Sequence, residues 1–229
     1  VTTRPYVLLS CAMSIDGYID DATTERLLLS NDDDLDRVDA TRAGCDAIMV
    51  GAATVRRDDP RLLVRSERRR AERVARGLPP SPVKVTVTGS GDLDPTARFF
   101  SLGDGLKLVY CPSGVVEKAR EQVGTVATVV DAGEPVTPEA VVADLAGRGI
   151  GQLMVEGGGT MHRQFLTAGL ADELHLVVAP FFVGDGRAPR FVGEGRFPWH
   201  PGRRARVVEV RQIGDVVLTR YALSDRCRA

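Results

Sequence analysis

Seven apolar runs of strand length punctuate this chain, and two more close it as a hairpin. The seven are Val7–Met13, Ala47–Val50, Val83–Thr88, Leu106–Tyr110, Val126–Val130, Gln152–Val155 and Leu174–Pro180. Short runs of this kind, bounded by turn residues, suit buried strands. Between them the sequence predicts helices over Asp32–Ala43, Ser66–Arg76, Pro138–Arg148 and Thr160–Ala168. Thr137 before Pro138-Glu139 is a helix start, and Gly149 a stop. The chain ends differently, with Val207–Ile213 and Val216–Leu223 joined by Gly214-Asp215, a two-residue hairpin signal. Strands alternating with helices and closed by a hairpin predict an α/β fold whose sheet is mostly parallel with an antiparallel edge. No internal repeat is visible, and Gly77–Pro82 is too short to separate domains. One domain over residues 1–229 is expected.

Composition narrows the function. The chain has 229 residues, 43% of them hydrophobic, which is ample for a core. Thirty basic side chains against 31 acidic ones leave a net charge of −1, which argues against nucleic acid or an anionic membrane as the main partner. No apolar stretch approaches the roughly 18 residues a membrane span requires. The N-terminal residues resemble no signal or transit peptide, so a soluble cytoplasmic protein is expected. Cys11, Cys45, Cys111 and Cys227 are scattered, with no C-x-x-C pair, and His162, His175 and His200 lack metal-ligand spacing. No metal site is expected. There is no G-x-S-x-G elbow and no P-loop.

Two segments carry chemistry. Gly51 to Arg65 reads G-A-A-T-V-R-R-D-D-P-R-L-L-V-R directly after an apolar run. Its small residues allow close approach of a ligand, Thr54 offers a hydroxyl, Asp58 a carboxylate and Arg65 a fork of donors suited to phosphate. The same segment also reads as a polar loop joining two strands. Further on, Val155 to Leu166 runs V-E-G-G-G-T-M-H-R-Q-F-L, with Met161 and Phe165 on one helical face. A strand entering glycines and then a helix aims backbone N–H groups at an anion, or simply makes a tight turn. Glu156 sits at the carboxyl end of that strand, where open α/β sheets place their ligands.

In the helix Asp32–Ala43, Leu35 and Val38 mark an apolar stripe that Arg42 continues. An arginine on a buried face needs an anion, either a ligand or one of the neighbouring aspartates. By contrast Arg68, Arg69, Arg70, Arg73 and Arg76, interleaved with Glu67 and Glu72, read as a solvated helix face.

Four motifs occur in one order, A-M-S-I-D-G-Y-I (Ala12 to Ile19), R-x-x-x-D-A-I-M-V-G (Arg42 to Gly51), T-V-x-x-D-D-P-R-L-x-x-R (Thr54 to Arg65) and V-E-G-G-G (Val155 to Gly159). Together they resemble the pyrimidine reductase of riboflavin biosynthesis, the reductase half of the bacterial deaminase-reductase. The resemblance implies a dihydrofolate-reductase-like fold, a homodimer, NADPH as cofactor, and a phosphorylated pyrimidine substrate. The reaction would reduce the ribosyl group of a 5-amino-6-ribosylaminouracil phosphate to ribityl. No H-x-E or P-C-x-x-C element of a zinc deaminase is present, so a stand-alone reductase is expected.

By the same resemblance, Ala12, Thr54, Asp58 and the segment Gly157, Gly158, Gly159, Thr160, Met161 and Arg163 match cofactor contacts. Ser30, Arg42, Leu62, Arg65 and Glu156 match substrate contacts. Asp58 and Glu156 are the candidate catalytic groups, Asp58 as a proton source and Glu156 as a hydrogen-bond acceptor. Two departures stand out. Leu28 to Asn31 reads L-L-S-N where the family has W-I-T-S or W-I-T-G. After Val83–Thr88 the chain has T-G-S-G-D-L-D in place of an acidic and a basic residue, leaving Thr88 and Ser90 to meet a cofactor 2′-phosphate. A reductase of a pterin or specialised pyrimidine, and a non-catalytic nucleotide-binding protein, remain alternatives.

Overall fold

A computed structural model describes residues 4–23, 25 and 27–227. All nine strands appear: β1 (Tyr6–Ser14), β2 (Ala47–Gly51), β3 (Val83–Val87), β4 (Lys107–Cys111), β5 (Thr128–Asp131), β6 (Gln152–Gly157), β7 (Glu173–Ala179), β8 (Arg206–Ile213) and β9 (Val216–Ala222). The four expected helices are α1 (Asp32–Gly44), α3 (Glu67–Ala75), α6 (Pro138–Gly147) and α7 (Gly159–Thr167). Their ends follow the capping chemistry: Thr137 and Ser66 accept the N–H groups of Ala140 and Arg69, and Gly149 adopts a positive φ beyond α6.

Helices α2 (Ala52–Asp58), α4 (Arg98–Ser101) and α5 (Val116–Val123) were not expected. α2 is short, and only Ala52 and Val55 are buried, too few to establish a period. α5 did carry a signal, with Val116, Ala119 and Val123 buried on one face.

The chain forms two compact units, Val1–Pro5 with Asp39–Met154, and Tyr6–Val38 with Val155–Ala229. In the first, strands run in the order β5-β4-β3-β2-β6, and the pairs β2–β3, β3–β4 and β4–β5 are parallel. Its core gathers Ile48, Val50, Val55, Leu62, Phe99 and Phe100. In the second the order is β6-β1-β7-β9-β8. There β1–β7 is parallel, and β7–β9 and β8–β9 are antiparallel. The pairing is thus the expected mixture, parallel with an antiparallel C-terminal hairpin. Gly214 has φ +60° at the hairpin turn. Asn31 Nδ2 donates to the Ile213 carbonyl and to Asp215, each at 2.7 Å, while its Oδ1 accepts the Asp34 N–H at the start of α1. Among the described residues no helix is long and apolar enough to cross a membrane.

Two sequence expectations need correction. The buried positions of α1 are Asp34, Asp39 and Ala43, whereas Leu35, Val38 and Arg42 are half-buried. Carboxylates can occupy that face because each is paired, Asp34 with Arg37 at 2.6 Å and Asp39 with Arg69 at 2.9 Å. The arginine run on α3 is not uniformly solvated either. Arg73 is 2% exposed and donates to the carbonyls of Pro79, Ala43 and Cys45, each at 2.8 Å. A guanidinium at the end of α1 satisfies carbonyls that the helix leaves unbonded.

Candidate functional site

In the second unit, β6 carries half-buried Glu156 and then enters the glycines. Gly157 has φ +141°, a backbone region open essentially to glycine. Gly158 is the N-cap of α7 and offers no side-chain cap, so the first N–H groups of the helix have no intrahelical acceptor. The helix begins at Gly159, one residue before the expected Thr160. A Cβ on Gly159 would stand 2.5 Å from the Arg190 carbonyl oxygen and 3.3 Å from that of Phe191. Thr160 is exposed, Arg163 half-exposed and Met161 buried.

The segment that crosses Gly159 also holds the A-M-S-I-D-G-Y-I motif. Ile15 and Ile19 donate their N–H groups to the carbonyls of Phe181 and Pro189, and Phe191 donates to Gly17 at 3.0 Å. Asp16 accepts the N–H groups of Val183 and Gly184 at 3.1 and 2.8 Å. Arg190 stacks its guanidinium 4.4 Å from the Tyr18 ring and donates to the Tyr18 hydroxyl at 2.8 Å. Ala12, on β1, lies half-buried against Leu29, Val177, Ala179, Val216 and Leu218. The Ser30 hydroxyl donates to Asp34.

In the first unit, Thr54 and Asp58 project from α2, both half-exposed. Asp59 closes α2 in the left-handed conformation, and its carboxylate holds Arg98 at 2.8 Å. Leu62 has φ +46° and is buried in the core. Arg65 is exposed. Arg42 donates to the Leu63 carbonyl at 3.4 Å, on the loop that carries Arg65. Thr88 is 1% exposed and accepts the Gly91 N–H at 3.1 Å, so its hydroxyl shapes the turn. Ser90 is exposed.

Residues 5–219 match the RibD C-terminal domain. The chain belongs to the RibD C-terminal domain family. A family relative from Archaeoglobus fulgidus, named 2,5-diamino-6-ribosylamino-4(3H)-pyrimidinone 5′-phosphate reductase, is 38% identical over 79% of this chain and 83% of its own length. A deaminase/reductase structure from Thermotoga maritima superposes with a TM-score of 0.77 at 24% identity, covering 96% of this chain. This chain spans 56% of that one. Dihydrofolate reductase from Enterococcus faecalis superposes with a TM-score of 0.50 at 12% identity over 95% of both chains, in keeping with a dihydrofolate-reductase-like fold.

Two buried titratable side chains escaped sequence reading. His162, on α7, is 1% exposed, and neither ring nitrogen has a hydrogen-bond partner. Burial pulls its pKa down to about 4, against the weaker opposing pull of the Val155 and Ser10 carbonyls and of Glu156. Its ring lies 5.2 Å from that of Phe191. The second is Asp39, a buried carboxylate gripping the Arg65 loop. No sequence signal marked it, because the Arg65 amide that it holds lies 26 positions away.

Proposed function

We propose that the chain is a cytoplasmic, homodimeric, NADPH-dependent reductase working as one domain. It reduces the ribosyl group of a ribosylaminopyrimidine 5′-phosphate to the ribityl form, as in riboflavin biosynthesis. The observation that carries this reading is the 38% identical relative named as such a reductase, matched across most of both chains. That relative's name favours a 2,5-diaminopyrimidinone over the 5-aminouracil expected from the resemblance alone.

The residues fit a dinucleotide. The start of α7, reached through three glycines and without a side-chain cap, suits a pyrophosphate, because its first N–H groups have no intrahelical acceptor and the helix dipole favours negative charge. Gly157 to Met161 and Arg163 would hold that part of the cofactor, with Ala12, Thr54 and Asp58 as further contacts. Exposed Ser90 would meet a 2′-phosphate, while Thr88 shapes the turn that presents it. When bound, the reduced nicotinamide supplies the hydride. Arg42 and Arg65 bind the substrate phosphate as charge-assisted donors, and Leu62 and Ser30 contact the substrate. Glu156 accepts hydrogen bonds from ribose hydroxyls or ring nitrogens, and Asp58 supplies a proton as the ribose opens. Val207, Val210 and Val217, exposed on the terminal hairpin, support dimerisation through that hairpin.

The test is loss of reduced-nicotinamide absorbance when purified protein meets NADPH and either pyrimidine phosphate. Turnover is expected with the diaminopyrimidinone. Silence with both phosphates, or equal turnover of an unphosphorylated pterin, would overturn the reading.

A further inference from the structure

Residues 59–66, which carry Leu62 and Arg65, belong to no helix or strand. Side chains from elsewhere bind the main chain in their place. The Asp39 carboxylate accepts the N–H of Arg65 and, at 3.1 Å, that of Ser66. Arg70 donates to the carbonyls of Val64 and Arg65 at 3.0 and 2.7 Å. Ser81 Oγ accepts the Val64 N–H at 3.1 Å, and Arg42 reaches the Leu63 carbonyl. From Leu63 to Ser66 the main chain is thus gripped at every residue, while the Arg65 side chain itself is exposed.

We infer that Asp39 and Arg70 are positioning residues that set the Arg65 guanidinium for the substrate phosphate. The inference rests on the phosphate role assigned to Arg65 above. A loop held this way presents its donor in one place, and misplacement of a binding group is costly to catalysis. The charge arrangement suits the same role. Asp39 is paired with Arg69 at 2.9 Å, so its negative charge is compensated beside a site meant for an anion. Burial alone would raise the Asp39 carboxyl, but the bonds from Arg65, Arg69 and Ser66 hold it below the ordinary range. It therefore grips as a carboxylate. An asparagine in its place has a single acceptor atom and turns two amide hydrogens toward a cluster of donors.

Asp39→Asn, Arg70→Leu and Arg65→Ala test this, alone and in combination. Asp39→Asn and Arg70→Leu should each raise KM for the pyrimidine phosphate about tenfold, with kcat and the KM for NADPH within about twofold. In an Arg65→Ala background Asp39→Asn should add nothing further, because the donor it positions is gone. A merely structural role would instead lower kcat, cofactor affinity and substrate affinity together, and would add to Arg65→Ala. Either result overturns the inference. Hydrogen exchange at the Arg65 and Ser66 amides supplies a readout independent of substrate. Faster exchange in Asp39→Asn supports the positioning role, and unchanged exchange refutes it. If exchange quickens but Arg65→Ala leaves KM unchanged, the phosphate role of Arg65 fails, and the positioning role fails with it.

Discussion

Arg220 Nε lies 2.7 Å from Glu173 Oε1, joining β9 to β7 at a carboxylate that is only 6% exposed. The Tyr6 hydroxyl and His175 Nε2 bind the same carboxylate at 2.8 and 2.9 Å. Burial alone would raise the Glu173 pKa; the bonds from His175, Tyr6 and Arg220 reverse this and bring it to about 2. Between the unfolded value of 4.5 and about 2 the unfolded chain binds the extra proton. This stabilisation is therefore complete above pH 4.5 and lost as pH falls toward 2. Glu173→Gln should lower stability at pH 7 by about 3 kcal/mol and flatten that acid limb. Urea unfolding from pH 7 to pH 2 checks both.

His162 acts in a different window. Its folded pKa of about 4 lies below the unfolded 6.5, so the unfolded chain again binds the extra proton between them. Stability contributed by the neutral ring is complete above pH 6.5 and lost as pH falls toward 4. His162→Phe should remove about 3 kcal/mol of pH dependence in that range without moving the Glu173 limb. A melting-temperature profile with the same slope in wild type and variant would refute this.

Gly159→Ala places a methyl group 2.5 Å from the Arg190 carbonyl oxygen, a main-chain atom with little freedom to withdraw. The cost is expected at about 1–3 kcal/mol of stability. NADPH affinity should fall by about tenfold or more, since the start of α7 must shift. Fluorescence titration with NADPH and thermal melts are the measurements, and unaltered affinity would argue against this turn as the pyrophosphate cradle.

Arg73→Met strands the carbonyls of Ala43, Cys45 and Pro79 without their donor. A loss of about 3 kcal/mol or more is expected, far above that of an exposed arginine. Arg68→Met, which breaks an exposed pair with Glu72, should change stability by less than about 1 kcal/mol. Equal effects of the two substitutions would contradict the burial assigned to Arg73.

Wild-type protein should sediment at roughly twice its 24.7 kDa chain mass at micromolar concentration. Val210 is 65% exposed on β8, and Val210→Glu should shift that equilibrium toward monomer. Monomeric wild type would refute the hairpin interface.

The strand runs, the α6 ends and the hairpin turn were legible in the sequence by itself. Each depends on short-range chemistry: apolar runs, a Thr-Pro-Glu start, a glycine beyond a last turn. The glycine approach to α7 was legible for the same reason, because three glycines between a strand and a helix constrain backbone conformation wherever they occur. Tertiary structure alone decided the rest. Spacing on α3 makes Arg73 look like Arg68, and only the carbonyls of Ala43, Cys45 and Pro79, brought in from outside that helix, turn it into a buried residue. Asp39 and Arg65 are 26 positions apart, and no local rule links a carboxylate on one helix to a loop amide beyond the next strand. His162 sits in an amphipathic helix whose pattern says that it is buried. That its ring nitrogens go without partners depends on atoms from distant strands, which no periodicity encodes.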